Sequence, residues 1–204
     1  MKKIEIFLGA VLAGIAIGIG GVVYLSLENK IAGALLFTVG LYTICAHGLN
    51  LFTGKVGYAA ENPPSYLIDL LVIWAGNFAG TWLTASALRL SRIAPALYDA
   101  ALRVCAAKLM DGAVSLFVLG IFCGMLMYSA VDGYKRTQQP LILFVCVAGF
   151  ILCGFEHCIA DMFYFSMANV WSGRAFAAII AISLGNSLGG LLIPVFKKLR
   201  EAGN

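Results

Sequence analysis

The chain has 204 residues, of which 61% are hydrophobic and only 12% charged, with a formal net charge of +4 and a mean hydropathy of +0.93. A soluble domain carries about 25% charged residues, so this composition excludes a water-soluble fold and requires lipid or neighbouring membrane helices as cover. The basic residues fall at segment ends and form no stripe suited to nucleic acid.

Charge-free stretches mark the elements in order. The first, 6–27, follows Met1-Lys2-Lys3; it is too long for a signal peptide and has no small-residue cleavage site before a polar region, so it predicts a spanning helix. The others are 31–54, 70–88, 112–131, 137–155 and 175–196, each near the roughly 20 residues a helix needs to cross a bilayer. Their Gly and Ala content suits close helix packing, and they show little of the alternation a barrel requires. The fold class predicted is all-α integral membrane, one channel domain over 1–204, with six transmembrane helices. Residues 91–110 form the one long connector. It reads as a surface helix with Ile93, Ala96, Leu97, Ala101, Val104 and Leu109 on its apolar side and Arg92, Asp99, Arg103 and Lys108 on the polar one.

Six spans put both termini on one face. That face would hold Lys2, Lys3, Lys55, Lys135, Arg136, Lys197, Lys198 and Arg200, against Lys30, Arg89, Arg92, Arg103, Lys108 and Arg174 on the other. The basic clusters at both chain ends favour cytoplasmic termini in an inner membrane. The six cysteines form no CxxC pair and read as small buried hydrophobes, not a disulfide framework.

The chain divides into halves of about 1–92 and 106–204. The third span contains Gly76-Asn77-Phe78-Ala79-Gly80 and the sixth Gly185-Asn186-Ser187-Leu188-Gly189, both GNxxG. A repeat of three spans must be inverted in the membrane, a recurring transporter plan in which interrupted helices form the site. The middle span of each half is interrupted: at Asn50-Leu51-Phe52-Thr53-Gly54-Lys55, and at Gly154-Phe155-Glu156-His157 with Asp161 following. Glu and His at membrane depth, like irregular backbone there, are tolerated where they face a protein-lined cavity. Two broken helices therefore predict a shared midplane site.

Each residue has a structural alternative. His157 fits either a pathway or a bond to a backbone carbonyl. Glu156 reads as structural, bonding free backbone N–H groups at the break, because a fixed carboxylate repels anions. Thr53 fits a pore or a half-helix cap, and His47 an end-of-helix histidine. A metal site or membrane enzyme on Glu156, His157, Asp161 and nearby cysteines competes, although metals usually need three or four converging ligands and adjacent residues diverge on a helix. A neutral-solute pore of aquaporin type also competes, but Asn62-Pro63-Pro64 occurs once, in a loop, where that class has paired Asn-Pro-Ala motifs.

Leu51-Phe52-Thr53-Gly54 with Gly154-Phe155-Glu156-His157, the two GNxxG motifs and Ala106-Ala107-Lys108 closely resemble the formate/nitrite transporter family over nearly the whole chain. The resemblance implies an aquaporin-like protomer with broken second and fifth helices. It also implies a homopentamer with one pore per protomer, and passive or proton-coupled passage of small monovalent anions such as formate, nitrite or hydrosulfide. No cofactor, metal or nucleic-acid partner is implied; the partners are the anion, a proton, the lipid bilayer and further copies of the chain. Carried over by position, His157 is the central histidine, Thr53 the threonine facing it and Lys108 the basic vestibule residue. Leu51, Phe52 and Phe150 fall at one apolar constriction and Phe37 and Leu41 at the other, with Glu156, Asn77 and Asn186 as structural support. Formate-type members often carry an asparagine in the fourth span where this chain has Gly124. The N-terminal tail is short, which predicts no gating or docking helix ahead of the first span.

The physical logic accompanies the resemblance. Lys108 would raise the local anion concentration, an apolar ring would strip water and favour the neutral acid, and His157 would supply a proton or a strong hydrogen-bond donor.

Overall fold

The computed structural model describes residues 3–203; Met1, Lys2 and Asn204 lie outside the described residues, and with them the expectation for Lys2. The elements are α1 (Lys3–Ser26), α2 (Lys30–Ala46), α3 (Phe52–Lys55) continuing as a 3-10 turn (Val56–Glu61), α4 (Tyr66–Leu88), α5 (Ala94–Met110), α6 (Ala113–Thr137), α7 (Leu141–Leu152), α8 (Cys158–Met167) and α9 (Gly173–Ala202). Four of them, α1, α4, α6 and α9, are long and apolar enough to cross a membrane. The second and fifth apolar stretches each divide into two shorter helices, α2 with α3 and α7 with α8. Local sequence sets several starts. Asn29 caps α2, its Oδ1 accepting from the Ile31 and Ala32 amides at 3.0 and 3.1 Å. Ser172 caps α9 by accepting from the Ala175 amide at 3.2 Å.

The most extensive helix–helix packing joins α6 to α9 and α1 to α4. Glycine permits it: a Cβ on Gly14 would strike the Asn77 backbone, and one on Gly124 the Asn186 backbone. Without a hydrophobic driving force between helices in lipid, such close backbone packing carries much of the association. Gly124 therefore has a positive reason to carry no side chain: α9 occupies the space.

Hydrogen bonds and ion pairs define two faces. Lys3 pairs with Asp69, joining the starts of α1 and α4. The Tyr66 hydroxyl donates to the Lys55 carbonyl at 3.2 Å, Lys198 donates to the Ala60 carbonyl at 3.0 Å, and Lys197 pairs with Asp132 at 3.2 Å. These contacts gather the start of α1, the end of α3, the start of α4 and the ends of α6 and α9 on one face, here called the terminal face. On the opposite face Arg89 donates to the Ser166 carbonyl at 3.0 Å, tying the end of α4 to the end of α8.

The connector is helical, but its faces differ from expectation. Leu97, Ala100, Ala101 and Cys105 are buried while Ile93 and Ala96 are exposed. Lys108, half-buried, leaves the polar side because its ammonium turns inward to Glu156 and Asp161, a long-range attraction that helical periodicity does not contain. All six cysteines are free thiols, and Cys153 is exposed, not buried.

Gly124→Ala is expected to lower stability by about 1–3 kcal/mol through overpacking. Gly112→Ala, where a Cβ would meet nothing within 4 Å, should be nearly neutral. Thermal unfolding of the two variants in one detergent checks this.

Candidate transport site

The two interruptions have one geometry. After α2, the His47 amide donates to the Thr43 carbonyl at 3.1 Å, Gly48 turns to φ +63°, and the Leu49 amide reaches back to the Ile44 carbonyl at 2.9 Å. After α7, the Cys153 amide donates to the Gly149 carbonyl at 3.1 Å, Gly154 turns to φ +70°, and the Phe155 amide reaches the Phe150 carbonyl at 2.9 Å. Each is a glycine-terminated helix end, with glycine supplying the left-handed backbone that other residues resist. The next residues also correspond: the Asn50 amide donates to the Gly9 carbonyl at 3.3 Å and the Glu156 amide to the Leu119 carbonyl at 3.4 Å. Leu51 and His157 are then extended, and α3 and α8 begin.

The two motif asparagines hold these turns. Asn77 Nδ2 donates to the carbonyls of Ala10 and Asn50, both at 2.8 Å, while its Oδ1 accepts from the Phe52 amide at 2.8 Å. Asn186 Nδ2 donates to the carbonyls of Gly120 and Glu156, both at 2.8 Å, and its Oδ1 accepts from the Cys158 amide at 3.0 Å. Each carboxamide thus brackets one extended residue, Leu51 or His157, and uses both donor hydrogens and its acceptor. Both asparagines are fully buried.

This frame brings His157 to Thr53, with Nε2 and Oγ1 2.9 Å apart and both residues buried. His157 also caps α8: its Nδ1 accepts from the Ala160 amide at 3.1 Å. An accepting Nδ1 carries no proton, so the neutral ring is assigned its proton on Nε2, which donates to Thr53. The Thr53 hydroxyl hydrogen is then free for another acceptor. Phe150 stacks on the imidazole, 5.5 Å between centroids at 22°, and meets Phe37 edge-on at 6.2 Å.

Phe150 is in ring contact with both His157 and Phe37. Leu41 is buried one turn from Phe37, and Leu51 is buried at the junction. Phe52 lines a lateral apolar cavity with Trp74, Leu70 and Ile180.

Lys108 also differs from expectation. Its ammonium pairs with Glu156, whose carboxylate was expected on backbone amides, and with Asp161 at 2.9 Å. The positive field expected of Lys108 is therefore offset within its own cluster. The ammonium sits where a cation would bridge the carboxylates, and among the described residues no group of three or more His, Cys, Asp or Glu is arranged to hold a metal ion. Asp161 Oδ2 and the Thr38 hydroxyl are buried without a hydrogen-bond partner. Sequence reasoning missed Thr38, although it adjoins Phe37 and is a polar residue in an apolar run. His47 is the exposed C-cap of α2, apart from the junction.

Two cavities flank the junction. One, of about 370 Å³, is lined by His157, Phe150, Glu156, Lys108, Asp161 and Tyr164 among others. The other, of about 320 Å³, is lined by the α2 end, Lys55, Tyr58, Tyr134 and Lys135. The arrangement is a buried hydrogen-bonding pair where α3 and α8 begin, with an open space on either side.

Such a site in an all-helical membrane fold defines a transport protein, and the chain belongs to the formate/nitrite transporter family, whose model matches residues 1–197. It is a multi-pass membrane transporter, not an enzyme. Among curated proteins it is 26% identical over 190 residues to the Escherichia coli formate channel FocB, covering 82% of this chain and 67% of that protein. It is 24% identical over 242 residues to the Haemophilus influenzae formate channel FocA, covering 94% and 85%. Against the Escherichia coli nitrite transporter NirC it is 24% identical over 212 residues, covering 90% and 78%. Of solved structures, a pentameric formate channel with formate bound superposes with a TM-score of 0.80 at 24% identity, covering 98% of both chains. An FNT family ion channel superposes at 0.84 with 21% identity, covering 98% and 91%. These structural likenesses establish the fold.

Two expectations follow from the geometry. Nitrogen-15 NMR of His157 at neutral pH should report an Nε2–H tautomer; an Nδ1–H signal would contradict the cap. Lys108→Gln leaves two buried carboxylates unpaired and should cost roughly 3–5 kcal/mol, read by thermal unfolding. The double variant Lys108→Gln, Glu156→Gln should recover much of that loss.

Proposed function

We propose that the chain conducts small monovalent anions such as formate, nitrite or hydrosulfide, through one pathway per protomer of a homopentamer, alone or together with a proton. The pathway runs between the two cavities past the Thr53–His157 pair. In this reading α2 with α3 and α7 with α8 are the broken second and fifth of six spans, in two inverted halves of about 1–92 and 106–204. The protein sits in the cytoplasmic membrane with its termini inside.

One observation carries the reading: the neutral donor pair His157–Thr53, buried at the junction of the two broken helices and stacked under Phe150. A dehydrating passage disfavours a bare anion and raises the pKa of a weak acid within it. The Thr53 hydroxyl, polarised by the His157 Nε2–H, offers that anion a hydrogen bond where water is stripped away. Phe37, Leu41, Leu51 and Phe150 supply the apolar walls. Lys108 offsets part of the negative charge of Glu156 and Asp161, which would otherwise repel an anion near His157. Relatives named as formate channels and nitrite transporters support the substrate class, and the pentameric assembly of a structurally similar channel supports the oligomer.

The test is flux into proteoliposomes. His157→Phe keeps an aromatic body but removes the donor, and should lower formate and nitrite flux at least tenfold with the oligomer intact. His157→Asn keeps a neutral donor and should retain part of the flux that His157→Phe loses. Wild-type rate and pH profile in the Phe variant would refute the mechanism.

A further inference from the structure

A lateral cavity of about 410 Å³ lies between α4 and α9, away from the Thr53–His157 pair. Val56 and Ala59 of the 3-10 turn form its floor, with Leu67 and Leu71 of α4 on one wall and Leu184 and Leu191 of α9 on the other. Leu67, Leu71 and Leu184 are exposed, so the cavity opens sideways between two membrane-spanning helices. Its polar side chains are engaged within the protein. The Trp74 indole donates to the Ser183 hydroxyl at 3.0 Å, and the Ser187 hydroxyl donates to the Ser183 carbonyl at 2.7 Å.

The corresponding positions of the other half carry rings. Phe165 stands eight places after His157, where Ala59 stands eight after Leu51. Phe78 follows Asn77, where Ser187 follows Asn186; Phe176 precedes Asn186 by ten places, as Leu67 precedes Asn77. All three rings pack on Trp171, at centroid distances of 5.1 Å for Phe78, 5.7 Å for Phe165 and 4.8 Å for Phe176. An aromatic cluster thus stands in one half where Ala59, Ser187 and Leu67 leave a cavity in the other. The basic residues twelve places after the two asparagines diverge in the same way. Arg89 donates to the Ser166 carbonyl, the Asn169 side chain and the Ser86 hydroxyl. Lys198 donates to the Ala60 carbonyl at 3.0 Å, is exposed, and makes no ion pair among the described residues, with Glu61 or any other acid.

We propose that this groove binds an anionic phospholipid, one acyl chain filling the cavity and the phosphate resting on Lys198. An apolar cavity whose polar groups are satisfied does not hold water, and one that opens between spanning helices faces acyl chains. Lys198 lies seven residues beyond Leu191 on the same stripe of α9, a rise of roughly 10 Å toward the terminal face. Its bond to Ala60 holds the ammonium beside the cavity floor at Ala59. An ammonium has three donors, so those not used on Ala60 are free for phosphate oxygens. Basic groups at the membrane surface between helices attract anionic headgroups. A second copy of the chain packed here would instead bury an uncompensated charge, which is costly.

Trp74 lies in the cavity wall, so its fluorescence reports the occupant. In Trp82→Phe, Trp171→Phe protein it is the one remaining tryptophan. In phosphatidylcholine vesicles, a small fraction of phosphatidylglycerol brominated on its acyl chains should quench Trp74 several-fold more than the same fraction of brominated phosphatidylcholine. Lys198→Gln should abolish that preference. Ser187→Phe, which supplies the ring found in the other half, should lower quenching by both lipids. Equal quenching by the two lipids with Lys198 intact overturns the proposal, as does quenching that Ser187→Phe leaves unchanged. A Trp74 that a wholly brominated bilayer does not quench overturns it in favour of a contact between subunits. Should the single-tryptophan protein fail to assemble, native mass spectrometry of the otherwise unaltered oligomer decides. Phosphatidylglycerol retention should fall several-fold in both Lys198→Gln and Ser187→Phe, and equal retention in all three proteins overturns the proposal.

Discussion

The structure depends on two buried carboxamides. Interrupting a helix at membrane depth frees backbone donors and acceptors that lipid cannot satisfy. Asn77 and Asn186 each satisfy a carbonyl before and an amide after one extended residue, and tether it to a carbonyl of α1 or α6. Asparagine suits this task because it offers donors and an acceptor on one short, neutral side chain. An aspartate could only accept, and a leucine would leave three polar groups bare. The glycines that let α1 and α6 lie against the asparagine backbones belong to the same constraint, since the carboxamide reaches these carbonyls only at close helix approach.

Because backbone bonds hold the frame, the side chains within it are free to differ. Leu51 and His157 occupy equivalent places, as do Lys55 and Asp161. The same turn therefore offers an apolar wall in one half and a hydrogen-bonding imidazole in the other. Charge diverges in the same way. Glu156 and Asp161 are buried beside the pathway and require Lys108 between them, because removing one partner of a buried pair leaves an uncompensated charge. The cavity on the terminal face is lined by Lys55 and Lys135 and by no carboxylate among the described residues.

The fold was legible where physics acts locally. Charge-free stretches located α1, α4, α6 and α9 to within a few residues at most ends, and a repeated asparagine in apolar helices marked the clamps. The ends of α2 and α7 fall close to Asn50, Lys55, Glu156 and His157, polar residues that sit badly in lipid. The approach of Thr53 to His157 came from family resemblance, because residues so far apart in sequence carry no local signal of contact. Contacts that depend on three-dimensional sidedness were not legible. Lys108 looked like a polar-face residue because helical periodicity ignores the carboxylates of Asp161 on α8 and of Glu156 just before it. Gly124 looked like a missing hydrogen-bonding side chain until its contact with α9 supplied the reason.

His157 couples the site to the frame. Its Nδ1 lone pair is the N-terminal cap of α8 and its Nε2–H is the donor to Thr53, so the two functions occupy opposite edges of one ring. Protonating the imidazole would place a second N–H against the Ala160 amide and remove the cap, which is ordinarily worth about 0.5–2 kcal/mol. The stacked Phe150 limits how the ring can turn to avoid that conflict. A proton taken up here therefore costs helix-end stability as well as solvation, and an imidazolium would be a brief state in passage. The arrangement favours a neutral donor that strengthens the Thr53 hydroxyl toward an anion. Any proton accompanying the substrate then comes more readily from water in a flanking cavity than from a stored charge on His157.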